Sequence, residues 1–269
     1  MGFDRREHLQ RQHHREPQAV ENERPYNELT SIITKDIGAT TRLIRIASSA
    51  YYHLDKGISI ERALSYIGIN AIRQILLFTS LADGAQWDTR RRKHLFDISI
   101  HSVLVNYGVC ELYRIEHEAP IPEHYTSVGI THDIGKVIML GYLPERFDRV
   151  ITCMKDHPGL DFYQGELSLG FGGTTHAEIG AFFLDLWGLP GPSIEAGLYH
   201  HDPKNGPEGG DNGESILELC RTADLLSNYI VLRPDAAHEE LPGFLERYTK
   251  KNEIHDLIVA LEEKYEHFQ

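Results

Sequence analysis

The sequence predicts an all-α protein: a small N-terminal helical bundle followed by a larger helical block. Three observations carry this. Apolar residues recur at helical spacing along most of the 269 residues, no convincing series of alternating strands interrupts them, and helix-start and helix-stop signals fall between the periodic segments.

Residues 1–25 are polar, include Arg5, Arg6, His13, His14 and Arg15, and lack the apolar stretch of a secretory signal; a flexible tail is expected. Over 26–90, Leu43, Ile44, Ile46, Ala47 and Ala50 form one apolar stripe, and Ile72, Ile75, Leu76 and Leu81 form another. The turn Asp55-Lys56-Gly57 and the stop at Gly68 separate them. The second block, 91–232, opens with a helix over 96–113 that is apolar almost all round and is therefore expected to be buried. Asp97 and His101 share one face of it, where burial would oblige them to find partners. Thr175 and Glu178 form a capping box that puts His176 in the first turn of a helix, exposed enough to serve a cleft. A helix beginning near Ser193 ends at His200-His201, and the segment over 205–214, with four glycines, reads as a mobile loop. Leu219, Cys220, Ala223 and Leu226 mark a helix over 216–230, with Asp224 at the edge of its stripe. The extension over 233–269 carries a last helix near 252–267.

Composition narrows the function classes. A net charge of −13 disfavours bulk nucleic acid and anionic membranes, both of which need an excess of Lys and Arg. No apolar run approaches the ~20 residues of a membrane-spanning helix. Cys110, Cys153 and Cys220 are odd in number and far apart, which suits free thiols in a reducing cytoplasm. There is no Gly-x-Ser-x-Gly elbow, phosphate-cradling glycine loop or zinc-finger spacing.

The chemistry-bearing motif is His132-Asp133-Ile134-Gly135-Lys136, accompanied by His101, His176, His200, His201 and Asp224. Imidazole nitrogen and carboxylate oxygen suit iron, manganese, nickel and zinc alike. Neighbours on a helix diverge by about 100°, so His132 and Asp133 can serve one centre while the carboxylate bridges to a second. Gly135 permits close backbone approach, and Lys136 would set a cation near a phosphate oxygen. Plainer alternatives stand beside each residue. His132 and Asp133 would also cap a helix, His176 would sit at a surface, and His200-His201 would answer a helix dipole. Asp224 would pair with Arg221, three residues before it. Asp97 is the weakest candidate.

Several stretches in order resemble the HDOD domain, the HD-related output domain of bacterial signalling proteins. Lys35-Asp36-Ile37-Gly38-Ala39-Thr40-Thr41-Arg42-Leu43, Ile46-Ala47-Ser48-Ser49-Ala50-Tyr51-Tyr52 and Ala63-Leu64-Ser65-Tyr66-Ile67-Gly68 are similar to its early helices. Gly129 to Lys136, His176-Ala177-Glu178-Ile179-Gly180-Ala181, Trp187-Gly188-Leu189-Pro190 and His200-His201-Asp202-Pro203 are similar to its second half. The resemblance implies an N-terminal bundle packed on an HD-domain-like bundle, and a regulatory or scaffold role in which metal ligands have been lost. This chain departs from that by keeping His101, His132, Asp133, His176, His200, His201 and Asp224. In that it is similar to the HD-GYP phosphodiesterases, which hydrolyse cyclic di-GMP at two or three metals, although Asp202-Pro203-Lys204-Asn205-Gly206-Pro207 lacks the Gly-Tyr-Pro signature. Two expectations follow. One is a phosphohydrolase or phosphodiesterase with two divalent metals, Asp133 bridging, Lys136 assisting, and a nucleotide or cyclic-dinucleotide-like ligand. The other is a non-catalytic module that docks signalling proteins around a structural or sensory metal.

Overall fold

The computed structural model describes residues 87–207, 215–232 and 242–267. The expected tail over 1–25, all but the last four residues of the expected subdomain over 26–90, and most of the loop over 205–214 lie outside the described residues. Within them every regular element is helical. The α-helices are α1 (Thr89–His117), α2 (Val128–Thr131), α3 (Ile134–Tyr142), α4 (Pro144–Asp156), α5 (Phe162–Ser168), α6 (His176–Leu186), α7 (Gly191–Tyr199), α8 (Ile216–Leu232) and α9 (Lys251–Glu266). None of these helices is long and apolar enough to cross a membrane.

Helix α1 is longer than the expected 96–113 at both ends. Asp88 caps it by accepting the Arg91 N–H at 2.8 Å, and the charged turn that follows is solvated, so apolar periodicity did not reveal it. At the other end Glu118 adopts a left-handed conformation (φ 52°) and returns its N–H to Arg114 O. The middle of α1 is enclosed, as an all-round apolar helix must be. Leu104, Val105, Val109 and Leu112 pack with Leu219, Cys220, Ala223 and Leu226 of α8 and with Ile254, Leu257, Ile258 and Leu261 of α9. Each such buried aliphatic side chain contributes about 1.5–3 kcal/mol.

Helix α3 is buried on two sides. Ile134, Val137 and Ile138 meet Ala181 and Leu184 of α6 together with Ile194 of α7, while Met139 and Leu140 meet Phe147 and Val150 of α4 and Phe162 of α5. The start of α3, which carries Asp133, is thereby clamped where α1, α6 and α7 converge. Cys110, Cys153 and Cys220 are unbridged.

Candidate metal centre

Local chemistry places each ring. The short α2 is seated by buried Asn106 of α1, whose Oδ1 accepts the N–H groups of Gly129 and Ile130 at 3.1 and 3.3 Å. A β-carbon at Gly129 would strike the Asn106 backbone, so glycine sets how closely α2 lies on α1. His132 and Asp133 then stand between α2 and α3. Gly135 does the corresponding work against α6: a β-carbon there would collide with the His176 carbonyl and crowd the Gly180 amide. This is the close approach that the sequence suggested.

Around Asp133 the histidines face one another. His101 Nε2 and His132 Nε2 lie 3.4 Å from Asp133 Oδ2. His176 Nε2 and His200 Nε2 lie 3.3 and 3.5 Å from Asp133 Oδ1. His201 Nε2 is 3.0 Å from His176 Nε2, and its ring stacks on Tyr163 with centroids 4.3 Å apart. Donor atoms of His101, His132 and Asp133 form one group within 4.8 Å of one another, and those of Asp133, His176, His200 and His201 form a second. Asp133 belongs to both. Asp224 stands at the edge of the first group: its Oδ1 is 3.1 Å from His101 Nε2, its Oδ2 accepts from Arg221 at 3.0 Å, and Asn228 donates to Oδ1. The Arg221 pairing considered from the sequence is therefore present together with the contact to His101. Lys136 Nζ reaches Asp133 Oδ2 at 2.5 Å.

Two expectations change. His176 is wholly buried rather than exposed, because α5 covers it. Glu166 accepts the His176 backbone N–H at 2.7 Å through one oxygen and binds its Nδ1 at 2.6 Å through the other. Asp97 is turned to solvent and pairs with Lys93, apart from the cluster. Glu166 itself was not anticipated. Its only sequence signal is the Asp161-x-x-Gln164 capping box that starts α5 and places Tyr163 and Glu166 three residues apart on one side.

Whether a cation suits this cluster is decided by where the ring protons sit. Carbonyl oxygens only accept, so His132 Nδ1 donates to Gly129 O (2.8 Å), and His200 Nδ1 donates to Ala196 O and Gly197 O (2.9 and 3.1 Å). In the neutral rings the lone pairs then lie on the Nε2 atoms, which face the Asp133 carboxylate. His132 Nε2, His200 Nε2 and Asp133 Oδ1 are buried without a hydrogen-bond partner, while His101 Nε2 lies 3.1 Å from Asp224 Oδ1. Lone pairs turned toward a carboxylate without a proton between them make a cage for a cation, and the outer nitrogens are held as ligating histidines commonly are.

The electrostatics agree. Burial pushes His200 down to about 4. His201 is likewise pushed well below the ordinary histidine value, by burial first and then by His200 and His176. Burial disfavours charge on His176, but the Asp133 and Glu166 carboxylates more than offset it and raise its pKa. Burial would raise Asp133, yet Lys136 and the surrounding imidazoles hold it well below the usual carboxylate range.

The HDOD domain family model matches residues 17–203 of this chain, which leaves α8 and α9 beyond the matched span. A curated relative from Treponema pallidum, uncharacterised, is 23% identical over 192 residues; the match takes in 71% of this chain but only 36% of that protein. The fold is similar to that of an HDOD domain protein of unknown function from Geobacter sulfurreducens (TM-score 0.63, 22% identity, 92% of this chain and 86% of that one). It is also similar to a Shewanella amazonensis protein that carries a provisional phosphohydrolase name (TM-score 0.58, 18% identity, 93% and 84%). A Marinobacter aquaeolei protein with a provisional signal-transduction name matches with TM-score 0.61 at 14% identity, over 92% of this chain and 55% of that one.

Proposed function

The chain belongs to the HDOD domain family, and we propose that it is a divalent-metal-dependent phosphohydrolase or phosphodiesterase within that family, acting on a nucleotide or cyclic-dinucleotide-like phosphoester in bacterial signalling. The observation that carries this reading is the convergence of the His101, His132, His176 and His200 Nε2 atoms on the two oxygens of buried Asp133. His101, His132 and Asp133, with Asp224 beside them, would hold one ion. Asp133, His176, His200 and His201 would hold the other. Bound divalent ions would polarise a phosphoryl oxygen and lower the pKa of water near neutral pH.

The protein's own groups supply the rest. Asp133 ties both seats to one carboxylate, so their spacing is fixed by a single side chain. Lys136, partly open to solvent, is placed to hand its charge from Asp133 to a phosphate oxygen. The Gly129–Asn106 and Gly135–His176 backbone contacts keep the rings in place, so little rearrangement accompanies reaction.

A second reading rests on burial. His132, His176 and His200 are fully enclosed. A structural or sensory ion in a module that docks signalling proteins would need no more access than that. The experiment that separates the readings is metal analysis of the full chain purified without chelator, followed by a phosphodiester and nucleotide panel. Wild type is expected to carry two ions and turn over a phosphoester; Asp133→Ala is expected to lose both ions and about 10³-fold in rate. Activity that survives Asp133→Ala would remove the hydrolytic reading, and bound metal without turnover would favour the sensory one.

A further inference from the structure

Each carboxylate at the first seat carries a cation on its outward side. Lys136 Nζ lies 2.5 Å from Asp133 Oδ2, and Arg221 Nη1 lies 3.0 Å from Asp224 Oδ2. The acids are enclosed, with side chains 1% and 4% exposed, whereas Lys136 and Arg221 are 15% and 24% exposed. The floor of the site is therefore negative and its rim positive. A single ring separates the two pairs: His101 Nε2 is 3.4 Å from Asp133 Oδ2 and 3.1 Å from Asp224 Oδ1. A chain of net charge −13 repels anions as a whole, so a positive rim is what would draw one in here.

Arg221 differs from Lys136 in what it has left to offer. Among the described residues its bonds all leave from Nη1, which also lies 3.3 Å from His201 Nδ1. The guanidinium thus stands beside both seats with Nε and Nη2 unclaimed. A planar guanidinium fixed at one corner holds its other donors in a fork that fits two oxygens of one phosphate, whereas an ammonium offers a point charge. Asp224 has other support, since Asn228 donates to its Oδ1 at 3.0 Å. Holding that carboxylate does not by itself call for an arginine. The charge count narrows the ligand further. A diester group carries one negative charge, which Lys136 alone can meet, while a terminal phosphate carries close to two above about pH 7.

We propose that Arg221 is a substrate-binding residue: its Nε–Nη2 edge takes two oxygens of a terminal phosphate beside Lys136, which fits the site to a phosphomonoester rather than an internal diester. The proposal rests on the metal-dependent hydrolase reading above, and its test tells the two apart.

Calorimetric titration of the full chain with Zn²⁺ should count two ions, one class for each seat, in wild type, Arg221→Lys and Arg221→Gln alike. Inorganic phosphate is then titrated into the Zn²⁺-loaded proteins at about pH 8, where it is a dianion. Its binding should weaken about 10-fold in Arg221→Lys, which keeps the charge and loses the fork, and about 100-fold in Arg221→Gln, which loses both. Dimethyl phosphate, with one charge, should bind wild type more weakly than inorganic phosphate and respond less to either substitution. Equal phosphate affinity in the three forms overturns the proposal. So does loss of a Zn²⁺ ion in Arg221→Lys, which would make Arg221 a support for Asp224 and nothing more. Dimethyl phosphate binding wild type as tightly as inorganic phosphate overturns the choice of a monoester even where the variants fail to fold. Wild type that takes up Zn²⁺ but no phosphate overturns the proposal and leaves the metal centre standing, and absence of Zn²⁺ binding removes both.

Discussion

The two sides of Asp133 are built from the same donors but supported differently. On one side His132 leans on a backbone carbonyl and His101 on the Ser227 hydroxyl, 3.0 Å from its Nδ1. On the other side His200 also leans on backbone carbonyls, but His176 and His201 are held by charged side chains, Glu166 and Arg221. Neutral supports fix a ring's orientation without bringing a charge to it. Charged supports also set how readily the ring gives up its lone pair: a carboxylate strengthens it, and a guanidinium competes for it. The first side is thus a fixed cradle and the second an adjustable one.

The largest expected effect tests the shared feature of the two sides, a ring held by backbone and kept neutral by burial. His200 has a folded-state pKa of about 4, below the ordinary 6.5. The unfolded chain binds the extra proton first, so stability is present above about pH 6.5 and is lost as pH falls toward 4. For this fully buried ring the loss in metal-free protein comes to about 3 kcal/mol. His201 acts in the same direction, whereas His176, with its raised pKa, contributes stability that is lost as pH rises through its folded value. The depressed Asp133 carboxyl acts lower, below its ordinary 3.8. Thermal denaturation between pH 7 and 4 should fall more steeply for wild type than for His200→Gln. Parallel curves would show that burial is not what holds the ring neutral.

The next effect falls on the adjustable side alone. Glu166→Gln keeps the shape of the support but removes its charge, and an amide can turn its donor toward His176. Affinity at the second seat should drop about 10- to 100-fold, with the first seat unchanged. Competition titration with a chelating dye resolves the two classes, and an equal loss in both would erase the distinction between the sides.

What the sequence revealed and what it hid divide along the same line. His132-Asp133, the first-turn His176, the helix-ending His200-His201 and Asp224 in its stripe were readable, because spacing and capping put a residue at a definite place on its own helix. What covers that place is a tertiary fact. His176 was expected at a cleft because a first turn is ordinarily open, yet the seven-residue α5 lies over it. Glu166 sits in that short helix with no periodic signal to mark it. Asp97 shares α1 with His101, but at that turn Leu95 and Ile98 take the packed side and Asp97 is left to solvent and Lys93. Arg221 was legible only as a partner for Asp224. Its second bond, to His201, spans 20 residues and depends on how α8 passes the end of α7.

The smallest effect belongs to the fixed cradle. Ser227→Ala removes the hydroxyl beside His101 Nδ1, but a hydroxyl is a neutral partner and His101 keeps its packing against the His132 ring, with centroids 5.3 Å apart. A lost neutral hydrogen bond is worth about 1 kcal/mol, which corresponds to less than about a 10-fold change in first-seat affinity. The second seat should not change, since the Ser227 hydroxyl bonds His101, a ring of the first seat. The same Zn²⁺ titration reads both numbers. If Ser227→Ala matched Glu166→Gln in size, the hydroxyl would be ordering the ring as firmly as a carboxylate does, and the contrast between a neutral cradle and a charged one would no longer explain how the two seats differ.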